Sequence, residues 1–160
     1  MFRILYIAVI AVLVVLDRVS KIAAVRVLGT GNTKEFLFGL FQFRYVENTG
    51  AAFSSFADNK IVLIVFTSLV IVLCLFMLMA GKVKSKFVRL CLLLIVSGGI
   101  GNLIDRFISG FVVDFIEPMF MNFAVFNVAD IFITVGAFML IFYEIYLLVK
   151  EKRRGKKTDD

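Results

Sequence analysis

Asp114 and Asp130 stand at the two ends of a Phe-rich stretch, each among apolar neighbours: Val-Val-Asp-Phe-Ile around the first, Val-Ala-Asp-Ile-Phe around the second. A carboxylate in lipid-facing sequence costs about 2.5–3.5 kcal/mol at a helix centre, so such residues are candidates for function. Two carboxylates forced together do not both ionise easily, and the pair then holds one proton between them. That supplies a base to activate water and an acid to protonate a carbonyl or leaving group, which is aspartic-protease chemistry. A third acid, Asp105, competes for the pairing. It is followed directly by Arg106 and reads as an ion-pair member, whereas Asp114 has no cation beside it. Apolar surroundings favour Asp114 with Asp130, and Asp105 with Asp130 stays open as the alternative. The chain has no histidine, and Cys74 and Cys91 form no C-x-x-C pattern, so no metal site and no cofactor are expected. Both cysteines read as small buried hydrophobes rather than a disulfide.

The elements that must hold these acids are membrane helices. Of 160 residues 61% are hydrophobic, too many for a soluble domain of this size. The net charge of +6 sits in short segments beside apolar runs, where it marks topology rather than nucleic-acid binding. Residues 4–28 open like the apolar core of a signal peptide, but no A-x-A cleavage site follows. The run reads as a retained first span of about 37 Å, longer than the ~30 Å hydrocarbon core. Asp17 and Lys21, four apart on its face, are either a pair at the membrane edge or a prop for the site. Further spans are expected at 61–80, 90–106 and 127–149, with Asn127 as N-cap and Asp130 in the first helical turn. The third span ends in Ser97-Gly98-Gly99-Ile100-Gly101, small residues that let helices approach closely.

Residues 29–60 form an extramembrane cap, where Phe41, Phe43 and Tyr45 alternate with Gln42 and Arg44 as a half-buried strand does. The loop 81–89 carries four positive charges and no negative one, and the tail 150–160 is basic, so both belong in the cytoplasm. Both termini are then cytoplasmic. Asn48, Asn102, Asp105, Arg106, Asp114, Asn127 and Asp130 all gather at the outer end of the bundle.

Five motifs in order resemble the bacterial lipoprotein signal peptidase (signal peptidase II) family: Asp17-Arg-Val-Ser-Lys21, Asn48-Thr-Gly-Ala-Ala-Phe53, Gly98 through Asn102-Leu-Ile-Asp105-Arg106, Val112-Val-Asp114-Phe115 and Phe126-Asn-Val-Ala-Asp130. The resemblance implies an all-α membrane protein with four transmembrane helices, a small extracytoplasmic β-cradle and a short cap helix. It implies a bacterial cytoplasmic-membrane aspartic endopeptidase, acting near the extracytoplasmic face. The substrate would be a prolipoprotein carrying a diacylglyceryl group on its lipobox cysteine, cut just before that cysteine. The family's catalytic pair falls on Asp114 and Asp130. Asp17, Lys21, Asn48, Gly50, Asn102, Asp105, Arg106 and Asn127 match positions that shape or support the site. Partners are then the lipid-modified precursor and membrane lipid, with no nucleic acid. The loop between the two acids must fold back for them to meet. Two other classes fit less well: a proton-coupled transporter needs charges near the midplane, and an assembly factor has no use for paired acids in apolar settings.

Overall fold

The computed structural model describes residues 2–29, 31–50 and 60–155. Residues 51–59, the stretch left for the expected short cap helix and the Ala51–Phe53 end of its motif, lie outside the described residues. In chain order the elements are α1 (Phe2–Leu28), β1 (Thr33–Phe36), β2 (Phe41–Asn48), α2 (Lys60–Met79), α3 (Lys86–Ile108), β3 (Val112–Pro118) and α4 (Val128–Gly155).

Three helices among the described residues are long and apolar enough to cross a membrane, over Ile61–Met79, Lys86–Ile108 and Val128–Arg154. The fourth expected span, α1, is not among them, because Asp17, Arg18 and Lys21 interrupt its apolar run. α3 begins earlier than residue 90. Ser85 caps it by accepting from the Val88 N–H at 3.4 Å, which draws Lys86–Arg89 out of the basic loop and into the helix. α4 likewise runs past residue 149, so the first basic residues of the tail continue the helix.

The sheet is larger than the cap alone provides. β1, β2 and β3 form one antiparallel sheet in that order, so the link between α3 and α4 supplies a strand. Val112-Val-Asp-Phe-Ile116 carries the signal for it, a β-branched and aromatic run bounded by Gly110 and Pro118. Phe43 pairs with Ile116, and after a bulge Val46 pairs with Asp114. A bulge re-aims the side chains that follow it, and here it precedes the register that sets Asn48 beside Asp114. Phe126 then bonds back to Phe115 and Ile116 at 2.8–3.0 Å, folding the connection onto β3 and delivering the chain to α4.

α3 packs against α1, α2 and α4. Its glycines serve one neighbour each. A methyl group on Gly98 would collide with the Ala129 carbonyl oxygen of α4, one on Gly99 would lie 2.9 Å from Ile71 of α2, and one on Gly101 would press on the Asp17 carboxylate of α1. The apolar core is built in two places. Tyr6, Ile10, Ile71, Leu78, Leu92 and Val96 fill the space between α1, α2 and α3. Ala24 and Leu28 of α1 pack on Val113 and Phe115 of β3, which ties the sheet to the helix bundle.

Candidate active site

The first turn of α4 organises the site. Asn127 and Asp130 cap one another: the Asp130 N–H donates to Asn127 Oδ1 at 3.0 Å, and the Asn127 N–H donates to Asp130 Oδ2 at 3.1 Å. This reciprocal arrangement is a capping box with Asp in the third helical position. The remaining inner N–H, that of Ala129, is taken by Asp17 Oδ1 of α1 at 2.9 Å. Asp17 therefore acts as a remote cap for α4, and Gly101 leaves it the room.

Asp114 arrives from β3. Its Oδ1 accepts from the Asn127 amide at 2.6 Å and its Oδ2 from the Asn48 amide at 2.8 Å. Asn127 thus touches both acids, Asp114 through its side chain and Asp130 through its backbone. Asn102 of α3 completes the arrangement by donating to Asp130 Oδ1 at 2.7 Å and accepting from Asn127 at 3.2 Å. Burial, first, and the charge of Asp130, second, push the Asp114 carboxyl up to about 7, against the pull of Asn48, Asn127 and Lys21.

Behind Asn102 lies a buried cation. Lys21 is 1% exposed, and its ammonium meets Asp17 Oδ2 at 2.8 Å, Asp105 Oδ2 at 2.9 Å and Asn102 Oδ1 at 2.9 Å. Each of its three protons has an acceptor. The Asp17–Lys21 pair is buried inside the bundle, at 2.8 Å, rather than exposed at its edge. Asp105 does not pair with Arg106 as its position in the sequence implied. Its partners are Lys21 and Arg18 of α1, and it also accepts from the Val113 N–H at 3.5 Å. Consecutive helical residues point about 100° apart, so adjacency in sequence is poor guidance to pairing. Arg106 turns instead to the Gly50 carbonyl at 3.1 Å and the Asn102 carbonyl at 3.5 Å, and Gly50 donates in turn to Asn48 at 2.9 Å.

All the residues singled out from the sequence therefore join one hydrogen-bonded network. Asp114, Asp130, Asn48, Asn102 and Arg106 line a cavity of about 510 Å³ whose other walls, apolar but for Thr67 and Thr134, come from β3, α2, α4 and the Phe123–Phe126 segment. Asp105, Asp17 and Lys21 stay outside that lining. Sequence reasoning missed Arg18, which nothing but its neighbours Asp17 and Lys21 could have marked. It also missed Leu63 and Thr67, the side chains with which α2 reaches the cavity. The hydroxyls of Thr67 and Ser68, in an otherwise apolar span, were the available signal for Thr67.

The close approach at Gly98 gives a test of this construction. Gly98→Ala has to displace the α4 turn that bears Asp130, and is expected to cost about 1–3 kcal/mol as an overpacking substitution. Lowering of the thermal midpoint in detergent checks it. A variant as stable as the wild type would mean that the two helices do not meet there.

The family model described as signal peptidase (SPase) II, peptidase family A8, matches residues 9–146. A lipoprotein signal peptidase of Streptococcus pyogenes serotype M2 is 41% identical over 137 residues, covering 86% of this chain and 90% of that protein. One from Clostridium tetani is 40% identical over 135 residues, covering 82% and 86%. In fold the chain is similar to a bacterial membrane enzyme solved by the in meso method at 2.3 Å, with a TM-score of 0.81 and 24% identity over 88% of this chain and 87% of that one. A second such structure, at 1.9 Å, gives a TM-score of 0.77 and 25% identity over 86% and 90%. The matched motif order, the family match across most of the length and relatives near 40% identity establish that this chain belongs to the signal peptidase II family, the lipoprotein signal peptidases.

Proposed function

We propose that this protein is a four-span membrane endopeptidase that uses Asp114 and Asp130 to cut diacylglyceryl-modified prolipoproteins just before the lipidated cysteine. The observation that carries the reading is Asn127 bridging the two carboxylates at the wall of one cavity. α1 counts as the fourth span because its charges Asp17 and Lys21 turn inward at 0% and 1% exposure, while Ile7, Val12, Val15, Val19 and Ile22 face outward. Intramembrane charges placed in this way face the bundle interior. The basic loop and basic tail support a topology with both termini in the cytoplasm and the aspartate cavity at the outer face. The substrate's acyl chains then stay in the outer leaflet while its signal helix enters the bundle beside the apolar cavity wall.

Asp130 serves as the base. Both of its oxygens accept hydrogen bonds, from the Asn127 N–H and from the Asn102 amide, which aims it as a proton acceptor. Asp114, held neutral, is the acid. Asp130 takes a proton from water as the water oxygen attacks the scissile carbonyl carbon, and Asp114 gives its proton to the carbonyl oxygen. The resulting gem-diol collapses as its C–N bond breaks. One hydroxyl proton returns to the now ionised Asp114, and Asp130 passes its proton to the departing amine, which restores the starting pair. Asn48 and Asn102 hold the two carboxylates in place through the cycle.

Cleavage of a synthetic diacylglyceryl-modified precursor by the purified protein in micelles tests the reading. The expected product begins at the lipidated cysteine, the unlipidated precursor stays intact, and chelators leave the rate unchanged. A wild-type protein that cuts elsewhere, or cuts both precursors alike, sinks the assignment. The pH dependence has a definite sign. Asp114 keeps its proton below about 7 and loses it above, so kcat/KM should fall about tenfold per unit as pH rises beyond that point. A rate that climbs with pH across this range would assign the proton donor elsewhere.

A further inference from the structure

A second cavity, of about 320 Å³, shares none of its lining with the aspartate cavity. Its cations are Arg18, Lys21 and Arg26, all from α1, and its lining carboxylate is Asp105. Lys21 is consumed by Asp17, Asp105 and Asn102. Arg18 meets Asp105 through Nη1. Arg26, exposed in the last turn of α1, has no hydrogen bond or ion pair among the described residues. Set three cations against Asp105 and against Asp17 behind Lys21, and one positive charge is left over, that of Arg26. On the rim the Tyr45 hydroxyl donates to the exposed Glu47 carboxylate at 2.9 Å, which disfavours a doubly charged anion. The remaining wall is apolar apart from Ser109, and its Ile22 and Val25 are exposed on the outer face of α1.

We propose that this cavity binds the phosphodiester headgroup of an anionic phospholipid in the outer leaflet, with Arg26 and Arg18 on the phosphate. A phosphodiester carries the single negative charge that the lining leaves unbalanced. Guanidinium groups match its paired oxygens. The glyceryl end and first acyl carbons lie along Ile22, Val25 and Phe111, a wall that a free phosphate cannot use. The site takes from the proposed function only that this end of the bundle meets the outer leaflet. It is separate from the aspartate cavity, so lipid occupancy and cleavage are distinct measurements.

Native mass spectrometry of the full-length protein released from micelles tests it, with dioctanoyl phosphatidylglycerol, dioctanoyl phosphatidylcholine, glycerol 1-phosphate and inorganic phosphate as probes. The wild type is expected to retain a single phosphatidylglycerol, the choline lipid more weakly, and neither free phosphate. Arg26→Gln should weaken retention about tenfold, the weight of one charge-assisted hydrogen bond. Arg26→Lys should recover part of the loss. Arg3→Gln, at the other end of α1, should behave as wild type, and Arg26→Gln should cleave precursor with unchanged kcat. Equal retention by wild type and Arg26→Gln overturns the proposal and leaves Arg26 as a partner of the α1 dipole. Equal losses in Arg26→Gln and Arg3→Gln overturn it in favour of diffuse surface charge. Competition by inorganic phosphate as effective as by the lipid overturns the lipid assignment. Failure of the wild type to cleave bears on the proposed reaction and not on this cavity.

Discussion

Asp114→Asn and Asp130→Asn are each expected to abolish prolipoprotein cleavage while leaving a folded protein. An amide neither takes a proton from water nor gives one to a carbonyl oxygen, so each change removes one half of the proton transfer. The loss should reach about 10⁴-fold, the upper end for a positioned acid or base. The structural penalty is smaller. Asp114 accepts from two side-chain amides, those of Asn48 and Asn127. Its replacement keeps one acceptor oxygen and turns an N–H₂ toward the other donor. That loss is on the order of 1–3 kcal/mol. Asp130→Asn meets the same problem at the Asn102 amide or the Asn127 N–H. Activity and thermal midpoint should therefore separate, with activity gone and the midpoint lowered by a few degrees. Asp105→Asn gives the contrast. It disturbs the Arg18 and Lys21 pairs without touching the cavity lining, so its losses of stability and of activity should run together. An Asp114→Asn protein that cuts at the wild-type rate would remove Asp114 from the reaction.

Most helix signals are local and legible in the sequence, whereas pairings between distant segments are not; the Ser85 cap that starts α3 before residue 90 is a local signal that hydropathy alone overrides. Apolar runs marked α2, α3 and α4, and Asn127 marked the start of α4, because hydropathy and capping depend on neighbours a few residues away. The setting of Asp114 was legible for the same reason: its β-branched and aromatic flanks are what bury it. β3 escaped notice because a short apolar run becomes a strand only when a partner lies beside it. That partner, β2, is far away in sequence. The bulge between Phe43 and Val46, which sets the register of Asn48 against Asp114, has no signature in either strand alone. The partner of Asp105 is hidden from the sequence in the same way. Arg106 is adjacent in the chain, but the fold brings Arg18 and Lys21 across from α1, and only the packing of α1 on Gly101 decides that.

Lys21→Met is expected to be the most destabilising single change in the network. The side chain is nearly isosteric in its stem, so the loss is that of the ammonium alone. Asp17 would keep the Ala129 N–H as its remaining partner and Asp105 would keep Arg18, both carboxylates being at most 1% exposed. Removing one partner of a buried ion pair typically costs about 3–5 kcal/mol, because the other charge is left in a poorly solvated site. Here one lysine serves two acids. The comparison with Arg18 is instructive, since that side chain is 31% exposed and water can replace it. Arg18→Gln should cost no more than about 1 kcal/mol, in the range of surface pairs. If the penalty of Lys21→Met comes from stranded charge, removing the charge should relieve it. Adding Asp17→Asn to Lys21→Met should then raise the thermal midpoint relative to the single variant, although Asp17→Asn by itself lowers it. A double variant less stable than Lys21→Met would mean that Lys21 acts through packing or through Asn102 instead. The same experiment reads the route from this cluster to the aspartate pair. Lys21 does not line the aspartate cavity, yet it fixes the oxygen of Asn102 whose amide holds Asp130. Cleavage should therefore remain depressed in the double variant even where stability recovers, because the charge balance is restored but the orientation of Asn102 is not.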